Sequence, residues 1–169
     1  MTVPGNWHPA PGAPTSGPAV VFDLDGVISD ATHRQRYLRQ EPQDWQGFFT
    51  AAVDDPVIDS GRALARSVGR AHAVVILTAR PGYMTHETVR WLERNDVRHD
   101  LLIIRPADDR RPSPDYKRDQ LIEMRSAGYD VQLAIDDDGE IVDMYRDQDV
   151  FALYVHSGYY DYRDAQLPP

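Results

Sequence analysis

The stretch VVFDLDGVISD, residues 20–30, opens as a buried strand and closes in acid. Val20, Val21 and Phe22 are apolar, Asp23 and Asp25 follow two positions apart, and Gly26 comes at once. Carboxylates that close repel each other, so packing alone does not explain them, whereas a cation between them does.

Around this stretch, short β-branched runs alternate with helix-like ones. Strands are expected at 19–24, 72–78, 101–104, 131–135 and 150–155, and amphipathic helices near 57–70, 83–95, 114–127 and 139–147. In the second helix, Met84, Thr88, Trp91, Leu92 and Asn95 follow the helical period. Continuous apolar strands spaced by helices predict an α/β three-layer sandwich, its parallel sheet covered on both faces. Residues 1–18, with five prolines and three glycines, read as a flexible tail, which leaves 19–169 as one domain. The 26 residues between Asp30 and Val57, with a short helix around Asp44 to Phe49, give room for a flap over about 31–56 and not for a second domain.

Composition narrows the chemistry. The absence of cysteine excludes disulfides and thiolate metal sites and suits a reducing compartment. The first 18 residues lack the basic and apolar regions of a signal peptide. Apolar runs such as Ala73 to Leu77 are too short to cross a bilayer, so a cytoplasmic protein without a membrane partner is expected. A net charge of −9 argues against a protein that coats nucleic acid non-specifically.

Ligands of open parallel sheets bind beyond the carboxyl ends of the strands. The first strand ends in Asp23, Asp25 and Gly26, the second in Thr78-Ala79-Arg80, and the fourth in Asp136-Asp137-Asp138. Lys117 stands near the start of the helix before that fourth strand. Singly, each has a plain explanation: the aspartates as turn formers or caps, Thr78 as an N-cap with Pro81 in the first turn, Lys117 as solvated surface. Those explanations give no reason for three strands to collect these residues at one edge.

Phosphoryl transfer to a carboxylate gives one. A carboxylate approaching a phosphate dianion meets about 4 kcal/mol of repulsion per charge pair at 4 Å and an effective dielectric of 20. Mg²⁺ removes that obstacle with one or two carboxylates, substrate phosphate and water as ligands. Asp23 and Asp136 supply such oxygens, with a backbone carbonyl near Asp25. Lys117 and the Thr78 hydroxyl suit the remaining phosphate oxygens. Asp25 suits protonation of the leaving oxygen and then deprotonation of water. That role predicts an Asp25 pKa raised by Asp23 and by bound phosphate, and an activity optimum below neutrality.

These residues resemble the haloacid dehalogenase (HAD) superfamily of aspartyl-phosphate phosphatases. FDLDGV matches its nucleophile motif, ILTAR its Thr/Ser motif, Lys117 in YKRDQL its lysine motif and AIDDD its acidic motif, in the superfamily's order. The resemblance implies a Rossmann-like sheet, Asp23 as nucleophile and Asp25 as general acid/base. It also implies Thr78, Ala79, Arg80 and Lys117 at phosphate or substrate, and Asp23, Asp25, Asp136 and Asp137 around Mg²⁺. From Val74 to Arg146 the sequence is similar to the 3′-phosphatase domain of polynucleotide kinase-phosphatases, although Asp138 stands where those relatives commonly carry Arg. No G-x-x-x-x-G-K-[ST] motif occurs, so a separate kinase or ligase is the expected partner. The expected substrate is a nucleic-acid 3′ end, with a nucleotidase or small-metabolite phosphatase as the alternative.

Other features bear on substrate. His33, Arg34 and Arg36 in the flap suit either phosphate and base contacts or a solvated helix face. Residues 105–118 carry a net +2. Tyr159, Tyr160 and Tyr162 suit base stacking or, more commonly, packing on the sheet. A non-enzymatic receiver domain also combines Asp, Thr, Lys and an acidic pair. Its acidic pair precedes the phospho-acceptor, however, and here the pair comes last.

Overall fold

The computed structural model describes residues 3–161. Six strands form one sheet: β1 (Trp7–Pro9), β2 (Gly17–Phe22), β3 (Ala73–Pro81), β4 (Leu101–Arg105), β5 (Tyr129–Asp136) and β6 (Phe151–Tyr154). Their order is β1-β4-β3-β2-β5-β6, parallel throughout except for β1. Successive residues of a strand face opposite ways, and β2 uses both faces. Val21, with Val75, Leu77 and Ala134, packs beneath Leu121, Met124 and Ile141 of α4 (Ser113–Ser126) and α5 (Gly139–Asp147). Val20 and Phe22, with Ile76 and Ile135, pack against Ala65, Trp91 and Leu92 of α2 (Asp59–Ser67) and α3 (Thr85–Arg94). This is the expected three-layer α/β sandwich. No helix among the described residues is long and apolar enough to cross a membrane.

The flap folds as a 3₁₀ turn (Thr32–Tyr37), the short helix α1 (Trp45–Thr50) and a second 3₁₀ turn (Ala51–Asp54). Asp44 caps α1, its carboxylate accepting from the Gly47 N–H at 2.7 Å.

Two sequence expectations need correction. Much of the 1–18 segment is a tied-down part of the fold. Trp7 is buried, pairs with Ile103 across β1–β4, and donates from Nε1 to Gln120 Oε1 at 2.9 Å. The Tyr129 hydroxyl holds Pro14 O at 2.8 Å. An indole buries enough apolar surface to outweigh a turn-rich composition, and β1 covers what would be an open sheet edge. Second, β3 does not end at Thr78. It runs to Pro81 with a register shift between those two residues, so Thr78 is not the cap of α3.

Candidate active site

Strand order explains how the acidic residues meet. β2 lies between β3 and β5, with Phe22 level with Ile76 and Ile135. One residue further on are Asp23, Leu77 and Asp136, and then Thr78 and Asp137. The Asp23 N–H continues the ladder by donating to Ile135 O at 2.8 Å. Gly26 turns the chain away at φ +89°, and a Cβ there would run into Asp137 Oδ2.

Lys117 enters from α4. Its Nζ donates to Asp23 Oδ1 at 2.5 Å and to Asp136 Oδ2 at 2.7 Å, and all three residues are buried. Asp23, Asp136 and Asp137 each offer an oxygen within 4.8 Å of the others. Burial pushes the Asp23 carboxyl up to about 7, with Lys117 opposing and Asp136 and Asp25 adding to the rise. Burial likewise pushes Asp137 up to about 9, helped by the charge of Asp23. Burial works against the Lys117 ammonium, but Asp136 and Asp23 outweigh it and hold its pKa well above the usual lysine value. Asp137 Oδ2 is buried without a hydrogen-bond partner among the described residues. Three carboxylates crowded round an unused oxygen form a hard-oxygen set that fits a divalent cation.

Asp25 differs from the sequence expectation. Burial alone would raise its pKa, but Arg80 and Arg34 hold it well below the usual carboxylate range. Arg80 Nη2 reaches Asp25 Oδ1 at 2.5 Å and Arg34 Nη2 reaches it at 2.7 Å. The Asp25 side chain keeps 22% of its surface open, so it still faces the cavity. The Arg80 guanidinium, expected at substrate, is committed to Asp25, Ser29 Oγ (2.9 Å) and Asp55 Oδ2 (2.9 Å). The Arg80 N–H donates to Thr78 Oγ1 at 3.2 Å.

Asp55 is the residue that sequence reasoning missed. Its carboxylate receives Arg34, Arg80, the Ser29 hydroxyl (2.6 Å) and His33 Nε2 (2.8 Å), and its carbonyl accepts from Trp91 Nε1 at 2.9 Å. Arg34 is fully buried, not a solvated flap residue, and His33 turns to Asp55. Arg36 stays exposed beside the Tyr37 hydroxyl.

One cavity of about 880 Å³ is lined by Asp23, Asp25, Thr78, Ala79, Arg80, Lys117, Asp136 and Asp137. All the predicted site residues therefore come together. Tyr159 and Tyr160 also line it, and the Tyr159 hydroxyl donates to Asp30 Oδ1 at 3.0 Å, so neither is merely packed on the sheet. Tyr162 lies outside the described residues. In the 105–118 patch, Arg111 pairs with Asp109 and Asp119, Arg118 with Asp115, and Arg105 with Ser113 Oγ.

The family model for the polynucleotide kinase PNKP phosphatase domain matches residues 17–160. No curated protein matches this sequence. The fold is similar to a chain in the Pnkp1/Rnl/Hen1 RNA repair complex, with TM-score 0.68 and 23% identity, over 82% of this chain and 42% of that one. A second structure of the Pnkp1/Rnl/Hen1 complex gives TM-score 0.70 and 23% identity, over 92% and 50%. The class C acid phosphatase from Bacillus anthracis gives 0.55 and 14%, over 94% and 82%. This chain thus spans half or less of the length of those two chains from the Pnkp1/Rnl/Hen1 structures.

Proposed function

Since this chain belongs to the polynucleotide kinase PNKP phosphatase domain family, a group of HAD phosphatases, we propose that it hydrolyses the 3′-terminal phosphate of a polynucleotide through an aspartyl-phosphate on Asp23. The observation that carries the reading is the placement of Asp23: beside the Lys117 ammonium at 2.5 Å and within 4.8 Å of oxygens from Asp136 and Asp137.

Asp23, Asp136 and Asp137 would hold Mg²⁺, which when bound offsets the repulsion between carboxylate and phosphate. Lys117 and the Thr78 hydroxyl hold phosphate oxygens. An Asp23 oxygen attacks phosphorus, the bond from phosphorus to the 3′ oxygen breaks, and that oxygen takes a proton from Asp25. Water then attacks the acyl phosphate, gives a proton to Asp25 and releases Asp23, and Asp25 passes that proton to the departing phosphate.

The resting charge of Asp25 changes where the first proton comes from. Held anionic by Arg34 and Arg80, Asp25 must receive a proton before it can donate one. A phosphate monoester carries one below its second pKa, about 6. The substrate monoanion hands that proton to Asp25, and Asp25 passes it to the leaving oxygen.

A nucleotidase is the second reading, favoured by a cavity of about 880 Å³ that suits a whole mononucleotide. A separate kinase or ligase partner fits this reading, since the chains of similar fold in the Pnkp1/Rnl/Hen1 structures are parts of a complex. Phosphate release from a 3′-phosphorylated oligonucleotide, compared with mononucleotides and small metabolites, tests the substrate. A higher kcat/KM for the oligonucleotide supports the polynucleotide reading, and a preference for mononucleotides replaces it with the second.

A further inference from the structure

We infer that a groove between Trp45 and Tyr83 binds the nucleotides just 5′ of the terminal phosphate, single-stranded and with their bases stacked. The inference rests on the polynucleotide reading above. Trp45, the first residue of α1, is 51% exposed, and Tyr83, just beyond Thr78, is 59% exposed. Large aromatics so open to water on both sides of one groove form a surface on which bases of any identity can stack. The groove, about 780 Å³, is completed by Thr50, Val53, Glu87 and Arg110.

The groove adjoins the catalytic cavity, because Trp45 lines both. Trp45 is also rigidly supported. It stacks on Phe49 at 6.0 Å and 29° and meets Phe48 edge-on at 5.9 Å. The Arg34 guanidinium lies 4.2 Å over the Phe48 ring and bonds Asp25, so the platform is joined to the carboxylate that faces the leaving oxygen. A strand whose 3′-phosphate sits at Asp23 can thus leave the cavity past Trp45.

Charge favours this occupant. Arg110 is exposed and has no ion pair among the described residues, while Arg111 and Arg118 nearby are paired, so it is available to a backbone phosphate. Glu87 would repel phosphate but accept hydrogen bonds from base amino groups, which places bases rather than backbone against it. A protein partner would also use exposed aromatics, but nothing links such a partner to the phosphate cavity.

The test measures kcat/KM for 3′-phosphorylated mono-, di- and trinucleotides and for an aryl phosphate. In the wild type, KM should fall about tenfold as the substrate lengthens. Trp45→Ala and Tyr83→Ala should each lower the ratio of trinucleotide to aryl-phosphate kcat/KM about tenfold, and Trp45→Phe should keep most of it. If the wild type cleaves the oligonucleotides but neither variant changes that ratio, the inference fails, the groove is left to a protein partner, and the polynucleotide reading survives. Equal losses on both substrates likewise overturn the inference, because they mark a structural role. If the wild type cleaves the aryl phosphate and no oligonucleotide, the polynucleotide reading fails and the inference with it.

Discussion

Arg80 Nη2 lies 2.5 Å from Asp25 Oδ1, a contact that decides the resting charge of the carboxylate assigned to proton transfer. With Arg34 adding a second guanidinium at 2.7 Å, Asp25 rests as an anion and its proton must arrive with the substrate.

The first prediction follows from that proton's source. At saturating Mg²⁺, which would keep Asp23 ionised below the value of about 7 that burial gives it, activity should decline as pH rises through the second pKa of the substrate phosphate, about 6. A substrate whose phosphate has a lower second pKa should move this limb down by the same interval. kcat/KM profiles on two such substrates make the comparison, and a limb at one fixed pH for both would assign it to the enzyme.

Asp55 is expected to anchor both arginines. Asp55→Ala leaves two buried guanidinium groups short of a partner, and breaking a buried ion pair from one side costs about 3–5 kcal/mol. Urea unfolding should show a loss of that size together with reduced kcat. A loss below about 1 kcal/mol would mean that the network does not depend on Asp55.

The main site was legible because Asp23 and Asp136 sit where strands end and Thr78 lies at the register shift within β3. Asp23, Thr78 and Asp136 read as strand-terminal from local pattern, and the sheet order β3-β2-β5 makes them neighbours. Arg34 and Asp55 were not legible in the same way. THRQRY reads as a solvated turn, and nothing near Asp55 separates it from an exposed loop aspartate. Their burial comes from a backbone bridge between Ser29 and Val57 that folds the end of the flap back on the strand tip, a pairing with no local signal. Trp7 was lost for a similar reason, since the Gln120 that receives its indole lies 113 residues away. The pKa of Asp25 was reasoned from Asp23 and bound phosphate, whereas Arg80, 55 residues along the chain, and the buried Arg34 of the flap hold it low.

Gly26 tests the close packing of turn and acidic pair. Gly26→Ala combines φ +89° with a Cβ that collides with Asp137 Oδ2. Displacing a residue of the proposed metal set should raise the Mg²⁺ concentration for half-maximal activity about 10–100-fold. A Mg²⁺ titration of the variant against the wild type checks this, and an unchanged midpoint would remove Asp137 from the metal set.

The most direct test of the central claim is chemical trapping of the covalent enzyme. Acid quenching during turnover of a substrate labelled in its phosphate, followed by borohydride reduction and peptide sequencing, locates any acyl phosphate. The prediction is labelled protein before reduction and homoserine in place of aspartate at position 23 after it, with Asp23→Asn giving neither label nor turnover. Sustained turnover without labelled protein, or label on any other residue, would contradict Asp23 as the nucleophile.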